Sequence, residues 1–188
     1  MKVAQLKIPD VCIIDLNKSE DDRGFFSEVF NQRSLASAGL THVWVQDNHA
    51  LSKRARTVRG LHFQRPPRSQ AKLVRVSRGS IFDVAVDIRK GSPFFGEWIA
   101  AIISEKSWNA ILVPEGFAHG YLTLEDNCEV QYKVNDYHAP ECEAGIAWDD
   151  PDLAIDWPVG GLEPYVSAKD KTLPRFAEVD SPFSYGER

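Results

Sequence analysis

Short runs of alternating apolar and polar residues, cut by turn signals, dominate the chain. Between residues 73 and 132 such runs fall at 74–76, 80–88, 98–103 and 110–113, with Arg78-Gly79, Lys90-Gly91-Ser92-Pro93 and Glu105-Lys106-Ser107 between them. Short strands with turns at roughly ten-residue spacing predict an antiparallel sandwich or barrel and argue against an α/β fold. A late strand is expected over residues 129–134, where Val130, Tyr132 and Val134 share one face. A tyrosine in a row of inward valines is either core or site. Upstream, residues 1–16 read as one or two short strands interrupted by Pro9, residues 21–24 as a turn, and residues 25–30 and 43–48 as strands. Residues 31–39 are the best short helix candidate, with Gly39 as the stop. After Trp148 the chain is rich in Asp, Pro and Gly, yet Trp148, Leu153, Ile155 and Trp157 are placed to pin it to the barrel. Residues 177–188 are expected as a loose tail.

The run Thr57–Gln64 carries the first chemistry, in Arg59 and His62. Strict alternation puts these two on opposite faces. Gly60 between them offers a place for a bulge that turns both toward one cavity. In Ala71-Lys72-Leu73-Val74-Arg75-Val76, alternation groups Lys72 with Val74 and Val76. A histidine near a lysine and an arginine, all on strands, suits removal of a proton and stabilisation of the resulting anion. Ordinary charged strand residues beside a surface histidine are the competing reading.

Composition narrows the class. At 188 residues one domain, 1–188, is the economical solution, with 43% hydrophobic and 26% charged residues as in soluble globular proteins. No apolar run approaches membrane-spanning length, and the first nine residues lack the apolar stretch of a signal peptide, so a cytoplasmic protein is expected. Three cysteines, Cys12, Cys128 and Cys142, with no CxxC pair, argue against a disulfide framework and a thiolate zinc site. A net charge of −5 removes general attraction to nucleic acid while leaving room for a local basic pocket.

The stretch Val113-Pro114-Glu115-Gly116-Phe117-Ala118-His119-Gly120 resembles the second motif of cupins, a turn leading into a strand. In metal-binding cupins its histidine joins an HxH pair and a glutamate from an earlier motif. Here Gln64 stands two residues after His62, and Arg68 stands where a carboxylate is sought. One imidazole at each place is too few for a catalytic metal, so a cupin-like antiparallel β-barrel or jelly roll without metal or other cofactor is expected.

An ordered set of further motifs narrows the resemblance. Asp22-Arg23-Gly24-Phe25-Phe26-Ser27-Glu28, Gln46-Asp47-Asn48, Arg59-Gly60-Leu61-His62-Phe63-Gln64 and Phe82-Asp83-Val84-Ala85-Val86-Asp87-Ile88-Arg89 occur in that order. They precede Tyr132-Lys133, Ala139-Pro140-Glu141-Cys142-Glu143 and Ala147-Trp148-Asp149-Asp150-Pro151. Together these resemble the dTDP-4-dehydrorhamnose 3,5-epimerase family over roughly residues 1–175. The resemblance implies conversion of dTDP-4-dehydro-6-deoxy-D-glucose to dTDP-4-dehydro-L-rhamnose by proton removal and return at carbons 3 and 5.

That chemistry needs a base on one ring face, an acid on the other and a cation for the enolate oxygen. His62 suits the base, since imidazole titrates near pH ~6.5. Tyr132 suits the acid, with an ordinary pKa near ~10. Lys72 suits the enolate oxygen as a permanent cation. The resemblance assigns the first two roles and supports the third. It makes Asp170 the orienter of His62, although Lys169-Asp170-Lys171 also reads as a solvated charge run. His119 is read as a site residue against a core histidine, with Asp83 a candidate partner. At the nucleotide end, Arg23 and Arg59 offer paired donors to a diphosphate. The resemblance adds Phe26, Glu28, Gln46, Asn48, Glu143 and Lys169, while an ion pair between Arg23 and Glu28 is the alternative. His138 stands where the family usually has a tyrosine that stacks on thymine, which loosens the expectation for the base.

Two other readings stay open. One is an epimerase of a single carbon, 3 or 5, on a related nucleotide 4-keto sugar; the other is a non-catalytic sugar-binding cupin. The resemblance also implies a homodimer in which the N-terminal strands, residues 1–30, complete the partner's nucleotide site. The apolar cluster Phe25, Phe26, Val29 and Phe30 fits pairing of an exposed edge.

Overall fold

The computed structural model describes residues 1–186. Fourteen strands and one short helix follow in the order β1 (Lys2–Gln5), β2 (Cys12–Asp15), β3 (Ser19–Asp21), β4 (Gly24–Phe26), α1 (Gln32–Ser37), β5 (Gln46–Ser52), β6 (Thr57–Gln64) and β7 (Lys72–Arg78). They continue with β8 (Ser80–Asp87), β9 (Trp98–Ser104), β10 (Asn109–Val113), β11 (Phe117–Thr123), β12 (Cys128–Val134), β13 (Glu143–Gly145) and β14 (Tyr165–Val166). One sheet has the order β1-β2-β10-β7-β12-β5 and the other β13-β6-β11-β8-β9, with β14 lying parallel beside β6. The remaining ladders are antiparallel, so the all-β cupin-like expectation holds.

Strand periodicity explains the layers. On β8 and β11, Ile81, Ala85, Phe117 and Tyr121 face inward and meet Val74, Val76 and Val130 of the first sheet. The alternate residues Val84, Val86, Ala118 and Leu122 face outward. They are covered by the segment after β13, through Ile146, Leu153 and Trp157. A sheet buried on both faces has no polar face to show, which is why β8 reads as a nearly unbroken apolar run. The outer face of the first sheet carries Leu73, Ala110 and Leu112 and is covered by Leu35 of α1.

The helix has the expected punctuation. Asn31 Oδ1 accepts from the backbone N–H groups of Arg33 and Ser34, and Gly39 at φ +86° lets Leu40 N–H return to Leu35 O at 2.9 Å.

Three expectations need correction. The strand predicted over 25–30 ends at Phe26, because Ser27 turns its hydroxyl to Asn17 O and Glu28 accepts from the Asn31 side chain that starts the helix. The strand predicted over 43–48 begins at Gln46 and runs to Ser52 instead. Its ladder partner β12 ends at Val134, opposite Gln46, so Val45 N–H still reaches Val134 O at 3.0 Å but the ladder does not continue to Val43. Residues 177–186 are docked: Lys90 N–H bonds Phe183 O and Tyr185 N–H bonds Lys90 O, both at 2.9 Å, and Ser181 is buried. The remainder of the expected loose tail, 187–188, lies outside the described residues.

Candidate active site

A bulge in β6 creates the site. The β6–β11 register pairs His62 with His119 and then Arg59 with Tyr121, so Gly60 and Leu61 together oppose Gly120. Val58, Leu61 and Phe63 consequently face the outer core, while Arg59 and His62 both face the barrel interior. Only glycine fits at the bulge. Gly60 has φ +121°, and a Cβ there would sit 2.6 Å from Gly120 Cα and 2.7 Å from His119 O.

Arg59 and His62 open onto a cavity of about 680 Å³, within the range of small-molecule sites. Its wall brings together Lys72 and Tyr132 from the first sheet, His119 and Glu143 from the second, and Lys169 and Asp170 from the segment after β14. An adjoining recess shares His62, Lys72, Tyr132 and Glu143 and adds Gln46, Asn48 and His138. The two recesses form one cleft through their shared residues.

His62 Nε2 lies 2.7 Å from Asp170 Oδ1, and the other carboxylate oxygen accepts from Gly60 N–H at 3.3 Å. Asp170 sits in a single 3-10 turn, Asp170–Thr172, and is 4% exposed, so it is no member of a solvated charge run. Burial pushes its carboxyl up, but the His62 bond and charge, with Gly60 N–H and Ser167, hold it below its usual value. His119 Nε2 makes a second imidazole–carboxylate pair with Asp83, at 2.9 and 3.0 Å, with the carboxylate fully buried behind the ring.

Lys72 donates to His62 O at 3.3 Å. Burial lowers its ammonium to about 8, against the opposing pull of Asp83 and Glu143. That corrects the expectation of a permanent cation, because the side chain discharges just above neutral pH. Tyr132 is on β12, next to β7 and across the cavity from β6. Burial raises its phenol, Arg59 opposes that shift and Glu143 adds to it, so the group stays protonated near neutrality. The Lys169 bond at 2.5 Å holds the Glu143 carboxyl below its ordinary value. In the adjoining recess, Gln46 bridges Asn48 Oδ1 at 3.0 Å and His138 N–H at 3.1 Å.

Arg23, Phe26 and Glu28 are not brought to this cleft within the chain. Arg23 is bound to Asp21 at 2.6 Å with a side chain 90% exposed, which replaces the alternative of an Arg23–Glu28 ion pair. Phe26 is 77% exposed. Among the described residues, no cluster of three or more His, Cys, Asp and Glu is placed to hold a metal ion.

The family model of dTDP-4-dehydrorhamnose 3,5-epimerase matches residues 5–178. The chain belongs to this family. A dTDP-4-dehydrorhamnose 3,5-epimerase of Pseudomonas aeruginosa is 45% identical over 181 residues, covering 96% of this chain and 98% of that one. The crystal structure of the family member from Bacillus anthracis with TDP and PPi bound superimposes with TM-score 0.89 at 44% identity, covering 93% of this chain and 98% of that one. That of the Legionella pneumophila enzyme in complex with dTDP-4-keto-L-rhamnose gives 0.91 at 40% identity, covering 95% and 94%.

Sequence reasoning missed Tyr121 as a wall residue. Its signal was present, since it stands two residues after His119 on the same face of β11.

Proposed function

We propose that the chain epimerises dTDP-4-dehydro-6-deoxy-D-glucose to dTDP-4-dehydro-L-rhamnose. The observation that carries this reading is the His62–Asp170 pair on one wall of a cavity whose other wall presents Tyr132 and Lys72. Hydrogens on carbons 3 and 5 are acidified by the carbonyl at carbon 4. His62 takes such a proton, and Asp170 holds the ring orientation and offsets the imidazolium charge. The electron pair moves onto the carbonyl oxygen, where the Lys72 ammonium stabilises the enolate. Tyr132 returns a proton from the opposite face, and solvent restores the imidazole and the phenol. A ring flip presents the second carbon to the same base and acid. Arg59 and Lys169 serve the diphosphate and sugar, and Gln46, Asn48, His119, His138 and Glu143 complete the cleft.

The functional unit is a homodimer in this reading, with Arg23, Phe26 and Glu28 serving the partner's nucleotide site. Their exposure within one chain supports it. The chain works in the cytoplasm: its cysteines are free and buried, and no helix among the described residues is long and apolar enough to cross a membrane.

Incubation with the 4-keto substrate in deuterated water tests the reading. Label is expected at carbons 3 and 5. Label at one carbon makes the chain a single-site epimerase, and none makes it a sugar-binding module.

A further inference from the structure

Tyr121 is 5% exposed, and its hydroxyl has no hydrogen-bond partner. Its side chain still lines the cavity, two residues after His119. The ladders pair it with Arg59 on one side and with Asp83 on the other. A buried hydroxyl without a partner costs stability, and a phenylalanine fills the same volume without that cost. Packing therefore does not explain the oxygen. Burial also raises the phenol well above its ordinary value, more than the Arg59 charge lowers it, so the group stays protonated near neutrality.

Arg59, the residue beside it, is weakly held. Its side chain reaches Ser52 Oγ at 3.2 Å and Leu51 O at 3.3 Å, both at the long end of hydrogen bonding. A diphosphate oxygen is a stronger acceptor for a guanidinium than either of these. A substrate phosphate that draws Arg59 away from Ser52 and Leu51 would open the wall beside the Tyr121 hydroxyl.

We propose that Tyr121 is a further substrate-binding residue, donating a hydrogen bond to an acceptor oxygen where the hexose joins the diphosphate. The inference rests on the reading of the cleft as a nucleotide-sugar site. It makes the oxygen an affinity and positioning device, separate from the proton transfers of His62 and Tyr132.

The test is Tyr121→Phe, measured by titration calorimetry with dTDP-glucose and with dTDP, and by thermal melting. dTDP-glucose is expected to bind about tenfold more weakly, the worth of one neutral hydrogen bond, with the melting temperature unchanged or raised. Weakening for dTDP-glucose alone assigns the acceptor to the hexose; equal weakening for dTDP assigns it to the diphosphate. Unchanged affinity for both ligands overturns the proposal. So does a lowered melting temperature, which means the hydroxyl is bonded within the protein. A wild-type chain that binds dTDP-glucose but fails to turn over the 4-keto sugar defeats the proposed function while leaving this readout intact. A wild-type chain that binds neither ligand overturns both.

Discussion

His62 Nε2 and Asp170 Oδ1 stand 2.7 Å apart although 108 residues separate them in the chain. Asp170 also accepts from the N–H of Gly60, the bulge residue that turns His62 inward. One carboxylate thus fixes both the ring and the backbone that presents it. Asp170→Asn keeps the shape and removes the charge, and is expected to lower kcat about 10²-fold with a small change in KM. His62→Asn removes the proposed base and should cost about 10²–10⁴. Steady-state kinetics on the 4-keto substrate check both. The carboxyl of Asp170 is depressed by folding, so its contribution to stability is complete above its unfolded value near ~3.9 and fades as pH falls through the lower folded value. The Asn variant should lose that portion of the acid unfolding curve.

Lys72 is expected to set the alkaline limit of activity. With its ammonium lowered to about 8, kcat/KM should fall as pH rises through that value in the free enzyme. Folding costs the charged form, so between about 8 and the ordinary value of 10.5 the unfolded chain binds the extra proton and stability rises with pH. Lys72→Met should therefore melt higher than wild type at pH 7 while losing most activity. A variant that melts lower would show that the ammonium is held by the fold, contrary to the cost assigned here.

The sequence made the barrel legible because buried strands leave a simple signature. The run Thr57–Gln64 and those at 80–88 and 98–103 coincide with strands to within a residue. Gly60 even announced the bulge, since a glycine inside a strand has few other uses. β5 was half missed because its exposure alternates between half-buried and exposed and it carries Gln46-Asp47-Asn48-His49, with no apolar face to read. Asp170 could be placed only through resemblance, because a charge flanked by Lys169 and Lys171 looks solvated until the fold buries it. The lowered ammonium of Lys72 was illegible for the same reason: desolvation is a property of the assembled cavity.

Tyr132→Phe separates the two halves of the reaction. The ring and its packing remain, so folding and substrate binding should be unaffected. With His62 as the proposed base intact, exchange of the carbon-bound hydrogens with deuterated water is expected to persist at a reduced rate. Inverted product should fall at least 10²-fold, the typical worth of a positioned acid. Product formation at the wild-type rate would reduce Tyr132 to a wall residue.

The last prediction concerns assembly. Arg23 and Phe26 lie on or beside the small β3–β4 hairpin, which pairs with neither main sheet. Phe25 is 55% and Phe26 is 77% exposed, an apolar load that a solvated hairpin has little reason to carry. Phe25 is anchored edge-on to Trp108 at 4.9 Å, which holds the hairpin in place and leaves Phe26 projecting. A partner cleft would gain a second arginine beside its own Arg59 and an apolar ring from Phe26, and two-fold symmetry would make the exchange mutual. Arg23→Ala and His62→Ala chains should each be inactive or nearly so. Mixed under conditions that allow subunit exchange, they form heterodimers in which one cleft has lost both groups and the other has kept both. Activity should then recover to about a quarter of wild type, since half the dimers are mixed and each holds one intact cleft in two. Exchange demonstrated by mass spectrometry with no recovery of activity would place Arg23 outside the partner's site.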